Sequence, residues 1–275
     1  IEIQRRENDL VLATFGRGFY VLDDYTPLRH IKKDDLKKEA FIAPIKDALM
    51  YIPKNPLGLR DKGHLGSSYF STPNPEMGAV FTYYLKDDIK KLKSIRKEKE
   101  KVANEKKEAV YYPSIDSLRL EDTQADPYLL LTITDVKGKV VRHLKASATK
   151  GVARLTWDLR YAPSDPVEGR YTPAPDQLFG AAPQGHLVMP GTYQVSLSKV
   201  HDGQVTLLAG PESFNTKLLN QSSLPAKNMA DNIAFYEKVS DMSLHLSATN
   251  DLLDQLGTRL KNAESAVIDM PAPAA

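Results

Sequence analysis

The residues able to do chemistry gather between Tyr161 and Met189. This proline- and glycine-rich connection holds Arg170, Tyr171, Phe179 and His186, with carboxylates at Asp165, Glu168 and Asp176, and Asp158 just ahead of it. Connections longer than about a dozen residues in compact domains are usually functional or disordered. Exposed aromatic rings stack on the apolar faces of sugars, which makes Tyr171 and Phe179 the ligand-binding candidates, with Arg170 and His186 beside them. The same rings would also serve to pin the loop to its own domain. Glycoside hydrolysis needs two carboxylates about 5 to 10 Å apart, and spacing along the chain does not set that separation. Asp158 follows Trp157 on the outer face of a strand, where pairing with arginine or shaping a turn is its expected part. No residue is therefore assigned as catalytic.

Other chemistries have less to work with. The histidines, at 30, 64, 143, 186, 201 and 245, show no His-x-His or His-x-x-x-His spacing, so no metal is expected. Phe15-Gly16-Arg17-Gly18 contains a Gly-x-Gly without the third glycine or a following helix pattern. It reads as a turn between Leu10–Thr14 and Phe19–Leu22, and no cofactor is expected. The absence of cysteine removes disulfides and thiol catalysis together. Lys and Arg number 37 against 35 Asp and Glu, a balance that gives no electrostatic case for nucleic acid as a partner. No run approaches the roughly twenty apolar residues of a transmembrane helix. The opening IEIQRREND lacks the apolar centre of a signal peptide, so the chain is cytosolic or an internal piece of a longer protein, and the piece is the expectation.

The elements that must position these residues are strands. Leu129, Leu131 and Ile133 alternate with polar residues, Asp135 to Gly138 supply a turn, and Val140 and Val141 follow. Ala153, Leu155, Trp157 and Leu159 share one face of the next strand, which points the sole tryptophan into a core. Pro190-Gly191 then opens Thr192 to Leu197, and an Asp202-Gly203 turn leads to VTLLAG and ESFNT.

Here a resemblance becomes specific. Asp135-x-x-Gly138-Lys-Val140-Val141-Arg142-x-Leu144, Gly151, Trp157-Asp158-Leu159-Arg160 and Pro190-Gly191-Thr192-Tyr193 resemble the immunoglobulin-like module of flagellar hook-capping type. More closely, they resemble its copy at the C-terminal end of secreted bacterial sortilin and BNR-repeat, glycosidase-like β-propeller proteins. NDLVLATFGRGFYVLDDYTPLR is similar to that family's last propeller strands, with Phe15 where histidine is common, and GAVFTYYLKDD to its first strand beyond the propeller. The resemblance spans nearly the whole chain. It implies an extracytoplasmic location, which the lack of cysteine fits, and a propeller preceding the module. The Ser-x-Asp-x-Gly-x-x-Trp box that such propellers repeat is absent.

The expected fold class is mainly β: an immunoglobulin-like β-sandwich (79–219) with a charged helical insertion (86–110), a propeller-derived hairpin (1–26), a connector (27–78) and a long C-terminal helix (225–268). The insertion shows only a thin apolar stripe over Ile89, Leu92, Ile95, Val102 and Ala103, as an exposed helix would. After it, SIDSLRLEDTQADP reads as a return loop with one helical turn. In the C-terminal helix Phe235, Val239, Met242, Leu246, Thr249, Leu253, Leu256, Leu260, Ala263 and Val267 recur at spacings of four and three, a heptad seam that must be covered. Its cover is a second helix, another copy or the chain's own charged helix, so homodimerisation or docking on the chain's own body is expected; the resemblance implies a helical hairpin after the sandwich. Phe235, Val239, Met242, Leu246, Leu253, Leu256 and Leu260 are the assembly candidates. Together these readings describe a non-catalytic accessory and interaction module, partnered by its own propeller and by a glycan or protein ligand. The alternative is part of a glycan-acting hydrolase whose active site lies mainly in the propeller.

Overall fold

The computed structural model describes residues 1–52, 72, 74–163, 184–219 and 228–270. The chain divides into two compact units, Ile1–Leu159 with Pro190–Ser222, and Arg160–Met189 with Ser223–Ala275.

The first unit begins with strands β1 (Glu2–Gln4), β2 (Asp9–Thr14) and β3 (Gly18–Leu22), which form a three-stranded antiparallel meander in that order. The expected hairpin is its second half. Gly16 and Gly18 take φ of 73° and 79°, the left-handed conformation that such a tight return demands of its residues. Helix α1 (Thr26–His30) and a 3₁₀ turn at Asp35–Lys37 follow. The short strands expected in FIAPIKDALMYIP are β4 (Ala40–Ile42) and β5 (Ala48–Met50).

Next come β6 (Ala79–Leu85), helices α2 (Leu92–Glu105) and α3 (Ile115–Thr123), and strands β7 (Tyr128–Asp135), β8 (Val140–Ala146), β9 (Gly151–Trp157), β10 (Gly191–His201) and β11 (Gln204–Leu218). One sheet has the order β5-β11-β10-β7-β8 and the other β4-β6-β9. All pairings are antiparallel except β11 with β5, where Thr216, Lys217 and Leu218 face Ala48, Leu49 and Met50. The alternation read in the sequence places Leu129, Leu131 and Ile133 of β7, and Val195 and Leu197 of β10, fully inside. Phe81, Leu85 and Trp157 are equally buried on the smaller sheet. Aromatic edges join the two: Trp157 meets Tyr193 at 5.6 Å and Phe214 at 6.0 Å, and Phe81 meets Phe214 at 5.3 Å, all near T-shaped. In the β7–β8 turn the Asp135 carboxylate accepts the Lys137 and Lys139 amides at 2.8 Å, and Gly138 has φ 80°.

The helical insertion is longer than the sequence suggests. SIDSLRLEDT forms two full turns of α3 rather than one, begun by Ser114, whose hydroxyl accepts the Ser117 amide at 3.2 Å. What holds α3 to the charged α2 is a fork. Arg96 donates to both oxygens of Glu121 at 2.7 and 2.9 Å and to Glu100 at 2.6 Å. The Arg96 guanidinium holds the Glu121 carboxyl below the usual glutamate range. Because folding lowers this pKa, the tie contributes fully above the unfolded-state value and is lost as pH falls through the folded one. Protection of the α3 amides, relative to their intrinsic exchange at each pH, is therefore expected to fall below about pH 4.5 before that of β7 and β10, and Arg96→Gln should remove this pH dependence while leaving the sheets protected. Acid exchange profiles that are the same in wild type and variant would contradict it.

The second unit contains α4 (Met229–Ile268), whose 40 residues make a helix about 60 Å long. Asn228 caps it, its side chain accepting the Ala230 amide at 3.0 Å, at the start expected from the sequence. Within the same unit Arg160 and Leu187 form an antiparallel bridge, and the Tyr161 amide donates to the His186 carbonyl at 3.0 Å. The mainly β architecture with one long C-terminal helix is thus as expected, and among the described residues no helix is long and apolar enough to cross a membrane.

Candidate functional site

In the first unit a cleft of about 370 Å³ opens where the meander meets the sheets, and Glu7, Asp9, Asp23, Asp24, Asp47 and Glu76 line it together with Lys46 and Arg154. Leu49, Tyr51, Met77 and Val80 give it an apolar side. The carboxylates are mostly committed to structure. Asp9 accepts the Asp24 amide at 2.9 Å, and Asp24 accepts the Thr26 amide at 3.1 Å, which fixes the exit of β3. Glu7 pairs with Lys46, whose ammonium also donates to the Glu7 carbonyl at 3.0 Å. Asp47, just before β5, pairs with Lys217 of β11 and accepts from Asn215 at 3.1 Å. Lys46 and Lys217 lower the pKa of Glu7 and Asp47 respectively. Both acids thus stay ionised at neutral pH, and neither supplies the protonated acid that glycoside cleavage requires.

The cationic wall is also engaged. Arg154 stands on the outer face of β9 and donates from its two terminal nitrogens to the Asp23 and Asp24 carbonyls, each at 2.6 Å. It thereby clamps the end of the meander to the smaller sheet. The side-chain carboxylates of Asp23 and Glu76 form no hydrogen bond or ion pair among the described residues. The geometry of the cleft is that of a braced joint with an acidic mouth.

Of the ligand candidates read from the sequence, Arg170, Tyr171 and Phe179 lie outside the described residues, as do Asp165, Glu168 and Asp176. His186 is half-buried in the second unit. Its ring packs on Tyr161 at 4.4 Å with 25° between planes, and on Tyr236 of α4 at 5.6 Å and 18°. Arg160 donates to the Gly185 carbonyl at 2.9 Å beside it. This stack fastens both described ends of the long connection to the first turns of α4. Tyr236 has no signature in the sequence beyond lying next to the seam residue Phe235, and Arg154 none beyond its outward position in an alternating strand.

The assembly candidates form one continuous exposed row on α4. Phe235, Val239, Met242, Leu246, Leu253, Leu256 and Leu260 are each between 47% and 72% exposed. Among the described residues no cluster of His, Asp and Glu is arranged to hold a metal ion. Comparison of the chain with family models, curated proteins and solved structures finds no match in any of the three.

Proposed function

We propose that the chain is a non-catalytic accessory and interaction module at the C-terminal end of an exported bacterial β-propeller protein of the sortilin and BNR-repeat class. In this reading the two facing sheets are an immunoglobulin-like sandwich, and the meander is the end of the last propeller blade. The observation that carries it is the meander itself. Every residue of β3 is exposed, including Phe19, Tyr20, Val21 and Leu22, and nothing pairs with the outer edge of β3 among the described residues. A small open sheet with bare apolar side chains lacks the neighbours that stabilise it. Propeller blades are four-stranded and stack face to face, so three strands with open faces fit a blade awaiting its fellows. Arg154 and Lys46 then act as the rivets between blade and sandwich.

Hydrogen exchange on the isolated chain tests this. Amides of β2 and β3 are expected to exchange at least about 100-fold faster than those of β7 and β10, reflecting local opening of an unsupported sheet. Equal protection would show a meander that needs no neighbours and would overturn the reading. Turnover of glycan substrates by the isolated chain would overturn its non-catalytic part.

A further inference from the structure

We propose that α4 pairs with α4 of a second copy as a parallel, in-register, two-stranded coiled coil, a partnership independent of the propeller assignment. The first argument is the shape of the apolar row. With Val239, Leu246, Leu253 and Leu260 at position a and Phe235, Met242, Thr249, Leu256 and Ala263 at position d, the repeat holds to seven residues across the helix, with Thr249 its one polar member. A strict repeat of this kind matches an identical helix layer by layer, because 3.5 residues per turn keeps the row facing a supercoiled partner. The row is also narrow. Position e carries Tyr236, Ser243, Asn250, Gly257 and Glu264, and position g is mainly polar. Assemblies of more than two strands bury e and g, which these residues oppose.

The second argument is where the charges stand. The helix is acidic, yet Glu237, Asp241, Asp251 and Asp254 occupy positions f, c, f and b, on the side away from the row. Two copies can approach without bringing these carboxylates together. The flanking positions also choose the direction. In a parallel pair, g of one helix faces e of the next heptad on the other, so Arg259 meets Glu264 of the second copy, twice by symmetry. In the antiparallel pair of fullest overlap, g faces g, and Arg259 would meet Lys238, again twice. The parallel arrangement has attraction where the antiparallel one has repulsion. Such exposed pairs set orientation more than affinity; the affinity comes from the apolar row.

The 275-residue chain contains no cysteine, which makes the test direct. Sedimentation equilibrium of the chain should give twice its 30.6 kDa mass. Leu253→Glu should weaken association on the order of 100-fold or more, with circular dichroism confirming that the sheets remain. Glu264→Arg should weaken it less, and adding Arg259→Glu should restore it. A chain bearing only Leu260→Cys should cross-link to itself on oxidation, since Leu260 faces its own copy in the parallel pair and Phe235 in the antiparallel one. A monomer at about 100 μM, which is well above the Kd of a stable coiled coil, overturns the proposal. So does a dimer that is indifferent to Leu253→Glu. A dimer that fails to cross-link through Leu260→Cys overturns its parallel direction.

Discussion

Trp157→Ala is expected to destabilise the first unit by about 3–5 kcal/mol, the range for removing a large aromatic side chain from a packed core. Domains of this kind are stable by only about 5–15 kcal/mol, so the variant should sit near the edge of unfolding at 37 °C. The side chain is fully buried at the end of β9 and touches the edges of both Tyr193 and Phe214, so it joins the two sheets rather than filling one of them. Its loss leaves a cavity bordered by rigid rings on the far sheet, which relaxes poorly. Urea unfolding followed by far-ultraviolet circular dichroism gives the measurement, since the variant has no tryptophan left to report by fluorescence. Trp157→Phe should recover a good part of the loss by keeping one aromatic edge in place. A loss below about 1 kcal/mol, the scale of an ordinary surface change, would mean that the sheets are held together elsewhere.

The second large effect should come from adding a single methyl group. Gly78, just ahead of β6, has φ 152°, and a Cβ built there would lie 2.0 Å from the Trp157 carbonyl oxygen and 2.9 Å from the Thr156 methyl. The threonine can turn away. The carbonyl cannot, because it belongs to the backbone of β9 where Ala79 pairs with Trp157. Gly78→Ala therefore forces the first pair of the β6–β9 ladder apart, and the backbone conformation alone costs about 1–3 kcal/mol for a residue with a side chain. The expected result is a loss of about 2–4 kcal/mol, combining that strain with damage to the packing around Trp157. Gly138→Ala is the matched comparison: its φ is also positive, at 80°, but a Cβ there meets nothing within 4 Å. It should lose only the conformational part. Equal losses in the two variants would assign the whole effect at Gly78 to φ.

Much of the sheet structure was legible because its signal is local. Leu129, Leu131 and Ile133 alternate within one strand, Asp135 and Gly138 mark a turn by their own chemistry, and Asn228 announces α4. The parallel pairing of β5 with β11 had no such mark, since three residues at 48–50 meet three at 216–218 with no shared pattern. Nor did the continuity of β11. Pro211 reads as a break between VTLLAG and ESFNT, yet one strand runs through it, because Gly210 and Pro211 fall opposite Ser196 at a register shift. There, too, β11 has no second partner, as β5 joins it only from Thr216 onward, and a missing amide hydrogen breaks no ladder on an open edge. The site was harder still. Arg154 looks like any outward strand residue until the carbonyls of Asp23 and Asp24 are brought to it from about 130 positions away. The acids of the cleft come from four separate segments, and proximity of that kind is a property of the fold rather than of spacing.

The β5–β11 pairing bears on how the protein is made. A ribosome delivers β5 first, while the strand that receives it, together with the Lys217 that pairs with Asp47, emerges roughly 170 residues later. Synthesis at about 5–20 residues per second leaves that edge waiting for some ten to thirty seconds. Over that interval Met50, buried in the finished structure and paired there with Leu218, lacks its partner strand. Until then β5 has no strand to pair with, and the closing of the larger sheet is timed by the arrival of β11.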